Sequence, residues 1–288
     1  MRASTFFLSL CLIAPTAMAI NVNTLWDYSK PDVSEQRFRA ALDGAGEQDK
    51  LILQTQIART FGLRRDFDKA REVLAAVRPA LPQASAEVQA RYALELGRTY
   101  ASPVHGPELL TQENVARARE SFLQAYDIAS RAKLDFLAID ALHMMPVVDA
   151  EPERQLEWNE KALAYLERSD QADAKGWEAS LRNNVGYARR LKGDYEEALV
   201  QFRLSRAAHE RAGRTRAVRI ADWMIARTYR DQKRFGEAVA LQLELERAWD
   251  ADGDPYPYVF EELEQLYRAL GDEARALHYA AKLKAARP

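Results

Sequence analysis

Cysteine is nearly absent from this chain of 288 residues, which contains only Cys11. A disulfide within the chain needs two cysteines and is excluded, and a zinc–thiolate site is excluded as well if Cys11 is removed with an N-terminal signal. Glycine and proline are also few, at 12 and 11 residues, which disfavours a fold of many strands and tight turns. The four histidines are scattered, without the i, i+4 pair of a helical metal site. Stability must therefore come from packing.

An excess of charge of one sign is lacking too. The 41 Lys and Arg residues against 43 Asp and Glu give a formal charge of −2, so we expect no nucleic-acid partner. The chain does have 48% hydrophobic residues, and it is rich in Ala, Leu, Glu and Arg, which are strong helix formers. The composition therefore predicts a folded, helical protein.

The N-terminus has the pattern of an export signal. An arginine precedes a short apolar run over residues 6–14, and residues 17–19 form an A-x-A cleavage motif. We therefore predict a signal peptide over residues 1–19. The apolar run is far shorter than the roughly 20 residues that cross a bilayer, so we expect no membrane span. Cleavage after the motif would remove Cys11 and leave an exported chain, periplasmic or secreted.

A repeated pattern of apolar and small residues runs through residues 51–285. Its clearest copy, residues 181–207, carries Gly186 before a Gly-Asp turn, and Ala198 and Phe202 after it. Apolar residues at helical spacing on both sides of a turn predict a helix–turn–helix hairpin. The residue that marks the second helix of each hairpin falls at positions 70, 118, 155, 198, 238 and 276.

This pattern resembles the tetratricopeptide repeat (TPR), a pair of antiparallel helices that stacks into a superhelix. The resemblance implies an all-α fold: a right-handed α-solenoid of about six TPR-like hairpins plus a leading helix, over residues 33–288. Marker spacings of 37 to 48 residues exceed the usual repeat of about 34, so longer helices or wider turns are expected. In the third copy Gln155 replaces the small marker, and Pro146 should end or kink the helix near Met145.

Residues 20–32 lack helical periodicity, which predicts an extended N-terminal segment. Two aromatic residues, Trp26 and Tyr28, are available to pack this segment against the repeats. The sequence shows no second domain and no low-complexity linker.

In TPR proteins the first helices line the concave face, so the resemblance implies that their exposed residues bind a protein or an extended peptide. The matching positions are Arg59, Arg98, Asn183, Asn184, Tyr187, Arg190, Trp223, Arg227 and Arg230. Asparagines would hold the peptide backbone, and arginines would bind acidic side chains or a C-terminal carboxylate with their planar fork. Alternatively, the arginines pair with acidic residues of neighbouring helices, and Trp223 packs between hairpins.

No set of residues supports catalysis. The sequence lacks a Gly-rich phosphate loop, and His143, three residues after Asp140, has no nucleophile to complete a triad. We therefore predict an exported binding scaffold without enzyme activity, cofactor or metal. One alternative is an envelope enzyme or small-molecule-binding protein with a site around Asp140 and His143. Another is a structural assembly adaptor that bridges other proteins through its convex face.

Overall fold

Residues 20–286 are described in a computed structural model and form thirteen α-helices without a β-strand. The predicted signal peptide lies outside these residues. The helices are α1 Pro31–Ala41, α2 Glu47–Leu63, α3 Phe67–Val77, α4 Ala86–Tyr100, α5 Gln112–Arg131, α6 Asp135–Val148, α7 Pro152–Arg168, α8 Glu178–Leu191, α9 Tyr195–Arg211, α10 Thr215–Asp231, α11 Phe235–Ala251, α12 Pro257–Ala269 and α13 Glu273–Ala286. Short 3₁₀-helices lie at Val22–Leu25, Arg78–Gln83, Pro107–Leu109 and Ala174–Trp177.

The chain divides into two compact units between Val88 and Gln89, within the first turn of α4. Helices α1 to α3 belong to the first unit, and α5 to α13 belong to the second. No helix among residues 20–286 is long and apolar enough to cross a bilayer.

Trp26 anchors the segment that precedes α1 in the first unit. Its ring stacks on Tyr28 with centroids 4.6 Å apart and meets the buried Phe38 edge-on at 5.0 Å. The indole Nε1 donates a hydrogen bond to Gln56 Oε1 at 3.1 Å.

Helix α1 begins at Pro31, two residues earlier than the sequence pattern predicts, because the fixed φ of proline suits the first position of a helix.

A recurring turn joins the two helices of a hairpin. Gly193 has a φ of +84° after α8, and Gly271 has a φ of +75° after α12, a left-handed conformation that glycine adopts without steric cost. At the second of these turns Asp272 accepts a hydrogen bond from the backbone N–H of Arg275 at 3.0 Å. The glycine therefore ends one helix, and the aspartate satisfies a free N–H group at the start of the next.

Among residues 20–286, six hairpins follow the leading helix α1: α2–α3, α4–α5, α6–α7, α8–α9, α10–α11 and α12–α13. This confirms the predicted all-α repeat architecture. In the second unit α10 packs on α8 and α12 as well as on its neighbours in the chain. The first helices of the hairpins thus form a layer of their own, and α6, α8, α10 and α12 are called the inner helices below.

Small residues permit close contact within the hairpins, as the pattern predicts. A Cβ built on Gly186 in α8 would lie 2.8 Å from the ring of Phe202 and 3.2 Å from the carbonyl oxygen of Ala198. A Cβ on Gly97 in α4 would lie only 2.5 Å from the ring of Phe122. Both phenylalanines are fully buried, so each ring fills the space that the missing side chain leaves.

Pro146, predicted to end α6 near Met145 or to kink it, lies inside the helix. The helix does not end at Met145 but continues to Val148, with the proline in its last turn. Proline removes one backbone hydrogen bond, yet the N–H of Asp149 still reaches the Met145 carbonyl at 3.0 Å. Gln155, at the marker position of α7, donates from Nε2 to the Pro146 carbonyl at 3.2 Å, so it satisfies an acceptor at the helix end.

We expect Gly186→Ala to lower the free energy of unfolding by about 1–3 kcal/mol, because the added methyl group overpacks against Phe202. The gain in helix propensity, up to about 1 kcal/mol, offsets only part of this loss. Gly236→Ala in α11 is the matched control, since a Cβ there meets open space. Urea unfolding measures both variants, and equal stability would contradict the close contact.

Candidate functional site

Two adjoining hollows open among helices α6 to α10 of the second unit. The larger hollow has a volume of about 530 Å³ and the smaller hollow about 280 Å³. Both linings include His143 and Asn184. The larger hollow is also lined by Pro103, Met144, Pro146, Val147, Ala150, Gln155, Asn159, Tyr187 and Ala188, and the smaller by Ser180, Asn183, Ser205, His209, Ala217, Ile220 and Ala221.

A hydrogen bond joins the two residues that the hollows share. Asn184 Nδ2 lies 3.2 Å from His143 Nδ1, and because an amide nitrogen only donates, Nδ1 is the acceptor. The imidazole also contacts the ring of Trp177, with centroids 5.0 Å apart. Helix α6 and helix α8 thus hold each other's polar side chains in a fixed position where the two hollows adjoin.

The larger hollow contains a buried amide. Asn159 in α7 is only 4% exposed, and its Oδ1 has no hydrogen-bond partner among the described residues. An unsatisfied buried polar atom costs about 1–3 kcal/mol, so a group that binds it gains free energy. Tyr187, on the same lining, is 41% exposed and offers an aromatic surface to a ligand.

The smaller hollow contains an imidazole in a similar situation. His209 Nδ1 is buried and has no hydrogen-bond partner in the described part of the chain. Burial, followed by the positive charge of Arg214, lowers the pKa of His209 below its ordinary value of 6.5, so the ring is neutral at pH 7. The hydroxyl of Ser205 donates to the carbonyl of Ala179 at 2.7 Å, which leaves its oxygen able to accept.

Neither hollow has a charged lining. No Asp, Glu, Lys or Arg is among the residues that line the two hollows, although such residues make up 29% of the chain. The polar groups present are amides, hydroxyls and imidazoles, which hydrogen-bond to neutral partners.

Arg98, predicted to bind a partner, lies instead in a buried ion-pair network. Its guanidinium bonds Glu95 and Asp140, and all three side chains are at most 11% exposed. Asp140, which the sequence placed in an alternative site with His143, is therefore bound by Arg98. Charges this deeply buried are tolerated because they are paired.

Three further predicted arginines also bind carboxylates. Arg190 Nε lies 2.7 Å from Asp231, and the carboxylate of Glu262 receives Arg227 at 2.9 Å and Arg230 at 2.7 Å. The side chain of Glu262 in α12 is only 3% exposed. These arginines thus pair with acidic residues of neighbouring helices, which is the alternative that the sequence left open.

Arg59 and Trp223 lie elsewhere. Arg59 belongs to the first unit, where its guanidinium lies over the rings of Trp26 and Tyr28, 5.7 and 5.5 Å from their centroids. Trp223 donates from Nε1 to the Tyr258 carbonyl at 3.2 Å, and the guanidinium of Arg227 covers its ring at 4.6 Å. Both side chains are engaged in packing within their own unit.

The hollows thus bring together Asn183, Asn184 and Tyr187 from the predicted set. Sequence reasoning missed Asn159 and His209, which no local motif distinguishes from ordinary helix residues. Ser180 and Ser205 were missed as well. In the sequence Gln155 stands out only as a departure from the repeat and not as a site residue. Within residues 20–286 no group of three or more His, Cys, Asp or Glu could hold a metal ion.

Solved structures with the same fold are TPR proteins. A signal-transduction ATPase (STAND) protein with a tetratricopeptide repeat sensor, from Pyrococcus horikoshii, superposes with a TM-score of 0.65 at 14% identity, over 88% of this chain and 38% of that one. A Rap protein complexed with Competence and Sporulation Factor superposes with a TM-score of 0.55 at 16% identity, over 88% of this chain and 69% of that one. TPR-like repeats of a putative kinesin light chain from Podosopora anserina superpose with a TM-score of 0.52 at 18% identity, over 73% of this chain and 98% of that one.

These similarities establish the fold and nothing more specific, since every identity is below 25%. This chain spans well under half the length of the STAND protein. No protein-family model and no curated protein sequence matches the chain. The described residues therefore form a TPR-like, all-α repeat protein.

We expect Glu262→Gln to lower the free energy of unfolding by about 1–3 kcal/mol, because Arg227 and Arg230 would lose the buried charge that balances them. Glu264→Gln on the same helix is the control. In its pair with Arg268 the two side chains are more exposed than Glu262, 22% for Glu264 and 46% for Arg268, so the loss should stay below about 1 kcal/mol. Urea unfolding at pH 7 compares the two, and a smaller effect at position 262 would show that the network is not stabilising.

Proposed function

We propose that this chain is a binding scaffold without catalytic activity, which holds a segment of a partner protein or a peptide along the two hollows. The observation that carries the proposal is that Asn184 lines both hollows, with the exposed Tyr187 one helical turn further along α8. An amide both donates and accepts, so it can bind the backbone N–H and C=O groups of an extended chain.

The similar Rap protein supports this proposal, since its structure contains a bound factor and the same fold can therefore carry a partner. The predicted preference for acidic side chains or a C-terminal carboxylate is less well supported. Arg227 and Arg230 would have to exchange the buried Glu262 for a ligand carboxylate. The uncharged hollows are the better candidate for the binding surface.

The proposed location of the scaffold is outside the cytoplasm, periplasmic or secreted. The support for export is the sequence of residues 1–19, with its short apolar run and A-x-A motif. The absence of cysteine after Cys11 agrees with a fold that does not depend on the redox state of its compartment.

A second candidate function is the binding of a small neutral molecule. It is favoured by the larger hollow, whose volume of about 530 Å³ falls in the range of ligand pockets, and by His143 in its lining. A catalytic form of this candidate lacks support, because the carboxylate of Asp140 is bound by Arg98.

A photo-crosslinking residue at position 187 tests the proposed surface. We expect it to form an adduct with one partner protein or peptide in the natural host, and we expect Asn184→Ala to reduce the yield because a backbone hydrogen bond is lost. The same probe at position 204 is the matched control, since Leu204 on α9 is 39% exposed against 41% for Tyr187 but lines neither hollow. Mass spectrometry identifies the adducts.

Equal crosslinking at positions 187 and 204 would contradict binding in the hollows. Adducts at position 204 alone would favour the structural adaptor that contacts its partners through other faces. The second candidate would be supported instead if protein purified from the host contains a bound small molecule and the Tyr187→Ala variant does not.

Export has its own test. We expect protein purified from the host to begin at Ile20, because cleavage follows the A-x-A motif, and N-terminal sequencing reads this directly. Ala19→Arg should keep the leader attached, since the cleavage site requires a small residue there. Recovery of the unprocessed wild-type chain from the cytoplasm would contradict the proposal.

A further inference from the structure

In each hollow one buried, uncharged polar atom has no hydrogen-bond partner among residues 20–286. In the larger hollow it is Oδ1 of Asn159, and in the smaller hollow it is Nδ1 of His209. Most buried polar atoms in folded proteins are hydrogen-bonded. Similar atoms occur elsewhere in the described residues, such as Nε1 of Trp249, but these two belong to lining residues that a ligand can reach. A ligand that fills both hollows would supply their missing hydrogen bonds.

The surroundings of the hollows are unfavourable to a charged ligand. The nearest predicted cation on α8, Arg190, is buried with Asp231, and Asp140, one turn before His143, is buried with Arg98. A charged side chain in either hollow would lose water without meeting an oppositely charged side chain in the lining, since Arg214, whose positive charge acts on His209, is not a lining residue. A neutral segment loses less on leaving water, and amides and hydroxyls can satisfy its polar groups.

The two linings differ in character. Pro103, Met144, Pro146 and Val147 give the larger hollow an apolar wall, whereas Ser180, Asn183 and Ser205 give the smaller hollow hydrogen-bonding groups. An apolar side chain gains from burial in the first, and a small hydroxyl or amide side chain gains from hydrogen bonds in the second.

We infer that the hollows select an uncharged polypeptide segment, with an apolar side chain in the larger hollow and a small uncharged polar side chain in the smaller one. This inference rests on the proposed function and names the chemistry of its ligand. It replaces the carboxylate recognition expected from the arginines by recognition of neutral groups through Asn159, Asn184 and His209.

Selection from a phage-displayed library of random dodecapeptides on the full chain tests the inference. We expect the enriched peptides to share an apolar residue close to a Ser, Thr, Asn or Gln, with Asp, Glu, Lys and Arg depleted around the pair. Affinity of the best synthetic peptide should change by less than about twofold between 0.05 and 0.5 M NaCl, because screening acts on charges.

Asn159→Leu gives a readout that separates binding from folding. Leucine has nearly the same shape but no polar atom, so we expect thermal stability to stay equal or rise while the affinity for that peptide falls about three- to tenfold. Leu204→Ala, an exposed change outside both hollows, should leave the affinity unchanged.

The outcomes separate the inference from the proposed function. Enriched peptides rich in Asp or Glu, or an affinity that falls tenfold as salt rises, would overturn the inference. The proposed function would still hold in that case if Tyr187→Ala weakens the binding of those peptides. An unchanged affinity in Asn159→Leu would also overturn the inference. If Tyr187→Ala weakens no selected peptide, the proposed function and the inference both fail.

Discussion

The close contact between a glycine on the first helix and a phenylalanine on the second is the constraint on which the hairpins α4–α5 and α8–α9 depend. Gly186 admits the ring of Phe202, and Gly97 admits the ring of Phe122, at separations that no side chain would allow. In a repeat protein each hairpin positions its neighbours, so a loosened contact in one repeat displaces the next. The α8–α9 contact brings together two helices that line the smaller hollow.

Close stacking also determines where charge can be placed. An arginine on an inner helix lies within reach of the next inner helix, where Arg190 binds Asp231 and Arg230 binds Glu262. Once buried, such a pair must stay complete, because either member alone would leave an uncompensated charge. The charges of the inner helices therefore hold the repeats together, and recognition is left to the uncharged groups between them.

The sequence predicts the hairpins well because each hairpin is a local unit. The spacing of Gly186, Ala198 and similar small residues indicates where its two helices lie. It does not predict the partners of the arginines, because Arg98 and Asp140 are 42 residues apart and no local rule joins them. The same limit applies to Asn159. Whether an amide lacks a hydrogen-bond partner depends on every helix around it. The sequence therefore predicts only the part of the site on α8, which consists of Asn183, Asn184 and Tyr187.

The position of the larger hollow follows from the irregular repeat. Elsewhere an alanine at the marker position lets the second helix approach closely, but α7 carries Gln155 there, and its amide binds the carbonyl of Pro146. The α6–α7 hairpin thus combines a longer side chain at this contact with a proline in the last turn of α6. Both residues line the larger hollow, so the departure from the repeat pattern coincides with the space that a ligand can use. In a regular solenoid, the least regular hairpin is thus the place where binding can develop without weakening the contacts that hold the stack.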